Sequence, residues 1–454
     1  MLRPVPMGSH PQILRPSSGS VHAEVEHLEG RRAVVVRSTP GRHRGALTAA
    51  DGSKLESAAR MALEVRLPLL MVLSTSGSDV TGGIDSLQGW GRAAAATASC
   101  SGVVPVLGAV TGPAISGPAL MLGLADVVSM TVDAFAFVSG PNMVEGFTGV
   151  KLGLRELGGA SVHATSTGLC ALVARDERHA IELLSHVLEY LPDNADEPAP
   201  PVETNDPVGR AAPDLRDLVP AAGNVSYDVR DVISAIADDG EMLELRAGWA
   251  PQMVTALSAV GGKSVGVVAS QPRALAGTLD ISGSQKAARF VRFCDSFNLP
   301  IVTFVDTPGF LPGKDLEWRG MIRHGAELAF AYAEATVPRV SVLLRKAYGG
   351  AYIVMDSKGI GNDICLAWPT AEVAVMGARG AVQVLHRTAG EGERRGLEEL
   401  YSDELLTPWI AAERGFVDEV IDPAQTRPAL NDALSLLATR RERLVGRKHD
   451  GGPL

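Results

Sequence analysis

Two stretches far apart in the chain follow one plan. AARMALEVRLPLLMVLSTSG, from Ala58, and AARFVRFCDSFNLPIVTFVDTPG, from Ala287, each read as a helix, then Leu-Pro, then a β-rich run ending at a glycine-containing turn. Further on, GVVPVLGAVTGPAISGPALMLGLADVVSMTVDAFAFVSGP runs alongside TVPRVSVLLRKAYGGAYIVMDSKGIGNDICLAWPTAEVAVMGA. Pro68 and Pro300 stand 232 positions apart, and Pro105 and Pro338 stand 233 apart. A shared offset across several landmarks marks an internal duplication and limits the chain to two copies of one domain.

Strands of the VGVVAS, IVTFVD and VSVLLR type alternate with helical stretches such as SQKAARFVRFCDSF and GAELAFAYAEAT. Continuous apolar strands between helices predict sheets buried on both faces, hence an α/β fold in each copy. Between the copies, LPDNADEPAPPVETNDPVGRAAPDLRDLVP is rich in Pro, Asp and Ala and has no period. The expected organisation is an N-terminal extension of little order over 1–30 and a first domain over 31–192. A linker over 193–220 and a second domain over 221–454 follow.

Composition removes several function classes. The 454 residues suffice for two domains, and the net charge of −10 favours neither a nucleic acid nor an anionic membrane as partner. No apolar stretch approaches the roughly 18 residues of a membrane span, and the first residues lack the apolar core of a signal peptide. Cys100, Cys170, Cys294 and Cys365 lie far apart with no CxxC pair, so a zinc ribbon is excluded. They read as buried small hydrophobes in a reducing, cytoplasmic setting. No metal site is expected.

The chemistry gathers at sharp turns after strands, where α/β proteins place their sites. In LLRKAYGGAYIVMDSKGIGNDI, residues 343–364, a strand ends, GGA turns and a helix begins. Gly349 and Gly350 let a ligand approach the backbone, and the N–H groups of a helix start have no partner within the helix. Two such groups aimed at one point stabilise charge on a carbonyl oxygen. The matching point in the first copy is TGPAISGPALM, with Ser116 and Gly117 before a helix. Two copies of one carbonyl-binding device suit a reaction that joins two carbonyl compounds; tight strand–helix packing explains the glycines equally well.

The second half is similar to the carboxyltransferase (β) subunit of biotin-dependent acyl-CoA carboxylases, of the propionyl-CoA and acetyl-CoA carboxylase type. The resemblance rests on GVVASQPRALAGTLDISGSQKAARFVRFCDSFNLPIVTFVDTPGFLPG, RKAYGGAYIVM, LAWPTAEVAVMGARGAV, AAERGFVDEVIDP and RKHDGGPL, with ELGGASVHATSTG in the first half. It implies two tandem crotonase-like domains per chain, in agreement with the duplication. It also implies a reaction without a side-chain base: carboxybiotin on a separate protein releases its carboxyl group, the biotin anion takes the α-proton of an acyl-CoA, and the enolate captures the carboxyl group. By motif, Gly350 and Ala351 would hold the biotin ureido oxygen, and Ser116 and Gly117 the thioester oxygen. Gly349, Tyr352 and Ile353 would line the substrate side. In the family the residue at the Ile353 position bears on the acyl group; Asp goes with propionyl-CoA, while Ile goes with acetyl-CoA or a broader short-chain range up to butyryl.

The chain also departs from the family. Where relatives carry Gly-Gly-Ser-Leu-Gly-Glu, it has STPGRHRGALTAADGSK, and their Ser-Gly-Gly-Ala-Arg turn appears as STSGSDV over 74–80. Their Ala-Gly-Gly-Ala at the first oxyanion site becomes Ile115-Ser116-Gly117-Pro118, and proline has no N–H to donate. Three readings follow: a working carboxyltransferase, a related decarboxylase or transcarboxylase, and a helper subunit in a mixed oligomer with a second β-subunit. The sequence has neither a Met-Lys-Met biotinylation site nor an ATP-binding loop in a fitting context. The resemblance therefore implies a separate biotin carboxylase and biotin carrier as partners, and a dimer-based homo-oligomer, a hexamer in the family.

Other signals take plain structural readings. GGKSVG at 261–266 is followed by a strand rather than a helix and reads as a hairpin turn, not a phosphate loop. His163, His179, His186, His324 and His386 are scattered and do not read as ligands. HRTAGEGERRGLEELYSDELL reads as a solvated, charged helix, and TRRERLVGRK as a basic helix terminus.

Overall fold

The computed structural model describes residues 20–40, 44–442, 444–446, 448, 449 and 451–453. The chain forms two compact units. The first takes the chain as far as His163 together with Leu172–Ser185, and the second takes Ala164–Ala171 and the chain from His186 onward.

In the first unit β1 (Val21–Leu28) pairs antiparallel with β2 (Arg31–Ser38), and β2, β3 (Leu69–Thr75), β4 (Val106–Ile115) and β5 (Val127–Thr131) continue the sheet in parallel. The short β6 (Phe135–Phe137) adds to the end of β4, and β7 (Leu172–Ala174) closes the edge beside β5. All seven residues of β3 are buried, as a parallel strand covered on both faces requires. The helix Ala49–Val65 starts at a capping box in which Thr48 and Asp51 satisfy each other's backbone N–H. The same Asp51 carboxylate accepts the Val21 N–H at 3.0 Å, so one buried acid fixes both the helix start and the first strand.

The second unit is built the same way, from β8 (Met242–Glu244), β9 (Met253–Val260), β10 (Lys263–Ser270), β11 (Ile301–Thr307), β12 (Arg339–Tyr348) and β13 (Ile364–Ala367). Here β14 (Glu372–Ala374) adds to the end of β12, and β15 (Glu419–Val420) closes the edge beside β13. Its order, β15-β13-β12-β11-β10-β9-β8, is that of the first sheet with one further antiparallel strand. The duplication extends to register. The β3–β4 ladder slips between Leu73 and Thr75, and the β11–β12 ladder slips between Val305 and Thr307, 232 positions on.

Several local expectations hold. β9 and β10 are joined by Gly261 and Gly262, both at positive φ (59° and 74°), the two-residue turn that suits a twisted hairpin. All four cysteines are buried, and none is in a disulfide. The helix Glu391–Tyr401 buries none of its residues.

Three stretches differ. Residues 1–19 of the expected extension lie outside the described residues, but 21–28 form a complete strand rather than a poorly ordered tail. The segment 193–220, read as a linker, packs within the second unit. Its Val202 N–H donates to Gly262, its Ala212 N–H donates to Ala424, and Leu215 is fully buried. A Pro-rich chain without a period of its own finds its backbone partners on a neighbouring hairpin and loop. The described residues of the basic stretch from Thr439 are not helical: the helix before it stops at Leu436, and Arg440 instead reaches Asp363 (2.7 Å) and the Thr336 carbonyl (3.1 Å).

Candidate active site

β12 delivers the chain to the Gly-Gly turn from inside the core. Nine of its ten residues are buried, and Tyr348 at its end pairs with Ala374 of β14. Gly349 then takes φ +60°, and a Cβ there would lie 3.1 Å from the Val375 carbonyl oxygen, so both backbone and space demand glycine. The helix Gly349–Val354 begins at once, with Tyr348 as its N-cap and no side chain bonded to its first amides. Gly350 is exposed, and a Cβ on it would meet only Phe310 at 3.6 Å. Ala351 behind it is fully buried.

The turn is held by buried polar groups from β11 and β12. Arg345 Nε meets the Asp306 carboxylate at 2.9 Å, with both side chains almost fully buried. Asp306 also accepts the Lys346 N–H at 3.1 Å and the Tyr227 hydroxyl at 3.0 Å. Arg345 Nη1 donates to the carbonyls of Pro220, Ala222 and Val225, so the buried charge is paired with Asp306 and anchored to that loop. Burial pushes the Tyr227 hydroxyl well above its usual pKa and keeps it a donor. Asp306 thereby ties the end of β11, and the loop carrying Phe310, to the strand that feeds the turn. On the other side Tyr348 donates its hydroxyl to Glu372, whose own pKa burial raises. The Tyr348 ring approaches Gly377, where a Cβ would lie 3.2 Å away.

Gly349, Gly350, Tyr352 and Ile353 line a cavity of about 560 Å³. Residues 373–375 form a second wall, and Tyr401, Leu405, Ile410 and Phe416 form the third. Of that third wall only Phe416 falls in a motif of the resemblance, AAERGFVDEVIDP. Tyr401 ends a helix that reads as solvated, Leu405 follows in the next turn, and Ile410 comes from the helix Pro408–Glu413.

In the first unit β4 ends at Ile115, and Ser116 takes φ +64°, the position that Gly349 holds 233 residues later. Its N–H donates to the Phe137 carbonyl of β6 at 2.9 Å and is therefore used inside the sheet. By the same offset Gly117 stands for Gly350 and Pro118 for Ala351. Gly117 keeps its N–H, while Pro118 has none. A Cβ at Gly117 would lie 2.5 Å from the Trp90 ring, which demands glycine there.

Among the described residues no group of three or more His, Cys, Asp or Glu side chains could hold a metal ion. His163 bonds the Ala136 carbonyl, and His324 contacts Glu327 and Gln285.

The two units share one parallel strand order, and β4 and β12 each end in a tight turn into a helix. The carboxyl transferase domain model matches residues 13–451, and the chain belongs to that family. It is 42% identical over 446 residues to the propionyl-CoA carboxylase beta chain of Saccharopolyspora erythraea, covering 94% of this chain and 82% of that one. It is 40% identical over 411 residues to the methylmalonyl-CoA decarboxylase subunit alpha of Veillonella parvula, covering 90% and 80%. The transcarboxylase 12S hexamer with methylmalonyl-coenzyme A bound superposes with a TM-score of 0.94 at 42% identity, over 96% of this chain and 85% of that one. The structure thus has the mixed α/β architecture of two tandem crotonase-like domains. Among the described residues no helix is long and apolar enough to cross a membrane.

Proposed function

We propose that this carboxyl transferase moves a carboxyl group from biotin, carried on a separate protein in the cytoplasm, to the α-carbon of an acyl-CoA. The observation that carries the reading is the turn at Gly349–Gly350, exposed beside a cavity and braced from behind by the Arg345–Asp306 pair. The space around Gly350, with Phe310 as the only neighbour of a hypothetical Cβ, fits a flat ureido ring lying against the backbone. Bound carboxybiotin supplies the carboxyl group and a ureido nitrogen that accepts the substrate's α-proton. Gly350 and Ala351 then act through backbone N–H groups on the ureido oxygen, while Tyr352 and Ile353 border the acyl group. In the first unit Gly117 donates to the thioester oxygen, with Ser116 fixing the turn through its bond to Phe137. Held in place before the reaction, such donors act where charge develops and need no titrating side chain.

The partners of this reading are a biotin carboxylase and a biotin carrier, with the chain in a homo-oligomer, a hexamer by analogy with the 12S structure. One observation favours a second reading: the first turn offers one N–H where the second offers two, as expected of a helper subunit beside an intact β-subunit. Reconstitution separates the two. The purified chain, a biotinylated carboxylase, ATP, labelled bicarbonate and acetyl-, propionyl- or butyryl-CoA should give labelled product. With charged biotin and an intact oligomer but no product, the first reading fails; activity that appears only on adding a second β-subunit establishes the other.

A further inference from the structure

The two turns differ in the side chain that stands beside them. In the second unit Thr307 Oγ1 donates to the Gly309 carbonyl at 3.5 Å. Leu279 pins the next residue, Phe310: its N–H donates to Gly309 (3.1 Å) and its carbonyl accepts from Leu311 (2.7 Å). The first unit repeats this loop 232 positions earlier. Thr75 Oγ1 donates to the Gly77 carbonyl at 3.3 Å, the Leu47 N–H donates to Gly77 (2.8 Å), and the Leu47 carbonyl accepts from Asp79 (2.8 Å). Ser78 thus takes the place of Phe310. A Cβ on its neighbour Gly77 would lie 3.5 Å from the Ser116 Cβ, so this loop runs against the first turn.

Among the described residues the half-buried Ser78 side chain bonds nothing. The other unpartnered donor beside the turn, Trp90 Nε1, is buried, and a Cβ at Gly117 would lie 2.8 Å from it; it backs the turn and is closed to a ligand. Gly117 brings one N–H and Pro118 brings none. A short hydroxyl in place of the Phe310 ring can rotate to supply the missing donor. No base is bonded to it, so it acts as a donor and not as a nucleophile.

We propose that the Ser78 hydroxyl is a catalytic residue, donating to the thioester oxygen held at Gly117 in place of the N–H that Pro118 lacks. Its substrate comes from the carboxyl-transfer reading, on which this role rests. The bond strengthens as the α-proton leaves and charge gathers on the oxygen, and it relaxes when the carbonyl re-forms. The hydroxyl keeps its proton throughout.

Two assays on the intact oligomer test this role. In the reconstituted carboxylation, Ser78→Ala should lower kcat about 10²-fold with KM for acyl-CoA little changed, and Ser78→Thr, which keeps the hydroxyl, should recover most of the loss. Melting should not move, since the hydroxyl holds nothing in the fold. Pro118→Ala should raise kcat more in the Ser78→Ala background than in the wild type, because both donors serve one oxygen. In calorimetry without biotin, the probe is a CoA analogue in which CH2–COO⁻ replaces the thioester and mimics the enolate. Ser78→Ala should bind it about tenfold or more weakly than the wild type, while acetyl-CoA binds both alike. Equal affinity of the two proteins for the analogue overturns the proposal whatever the carboxylation assay gives, as does an unchanged kcat in an active complex. Analogue binding that depends on Ser78, beside a complex that carboxylates nothing, refutes the carboxyl-transfer reading alone.

Discussion

Gly350→Ala separates function from fold at the turn. Gly350 does not have a positive φ, and its Cβ would sit 3.6 Å from Phe310, an ordinary contact. The folded state therefore admits alanine, and the unfolded chain loses freedom, so stability should stay level or rise by about 0.4–1 kcal/mol. The added methyl nevertheless stands on the exposed face against which the ureido oxygen must lie. An oxyanion kept from one of its donors costs about 10²–10³ in kcat. Gly349→Ala is the control, because there φ is +60° and the Val375 carbonyl lies 3.1 Å from the new Cβ. That variant should lose about 1–2 kcal/mol from the left-handed backbone alone. Thermal unfolding and product formation, measured side by side, decide the matter. Gly350→Ala with unchanged melting and activity within threefold of the wild type would refute the role of this turn.

Arg345→Leu should destabilise the protein by about 3–5 kcal/mol, read as a lower denaturant midpoint, because it strands the Asp306 charge in the core. Pro118→Ala returns an N–H to the first turn; kcat should rise tenfold or more if that turn holds the thioester oxygen, and an unchanged kcat counts against it. Lys286 makes stability depend on pH. Its ammonium donates to the Arg246 and Trp249 carbonyls, both at 2.9 Å, while burial lowers its pKa to about 7. Above pH 7 the unfolded chain then binds a proton that the folded chain does not, so stability should rise from pH 7 to 9 by about 1 kcal/mol per unit. Lys286→Met should lack that rise in denaturant titrations at the two pH values.

What was legible in the sequence is what repeats or what only glycine can do. The 232–233 offset reads out the duplicated topology because both sheets keep even the same ladder slip, at Leu73/Thr75 and Val305/Thr307. Gly349 stands out because a left-handed residue after a buried strand has few substitutes. The use of the Ser116 N–H by Phe137 could not be read, since β6 is three residues long and its pairing depends on where β4 ends. The third wall of the cavity was hidden for a different reason. Tyr401 and Leu405 belong to a stretch whose charges describe its solvent side, and nothing local tells where the helix end points. The docking of 193–220 was equally silent, because a Pro-rich segment without a period carries no sign of the hairpin that receives it.

The measurement that bears most directly on the central claim is the half-reaction. Biotin carrier loaded beforehand with labelled carboxyl groups is mixed with the purified chain and acyl-CoA, without ATP or biotin carboxylase. If the turn at Gly349–Gly350 is the carboxyl-transfer site, label moves to the acyl-CoA, and Gly350→Ala slows that transfer by about 10²–10³ at unchanged stability. Label that stays on the carrier in the presence of the intact, folded oligomer, across acetyl- to butyryl-CoA, would contradict it.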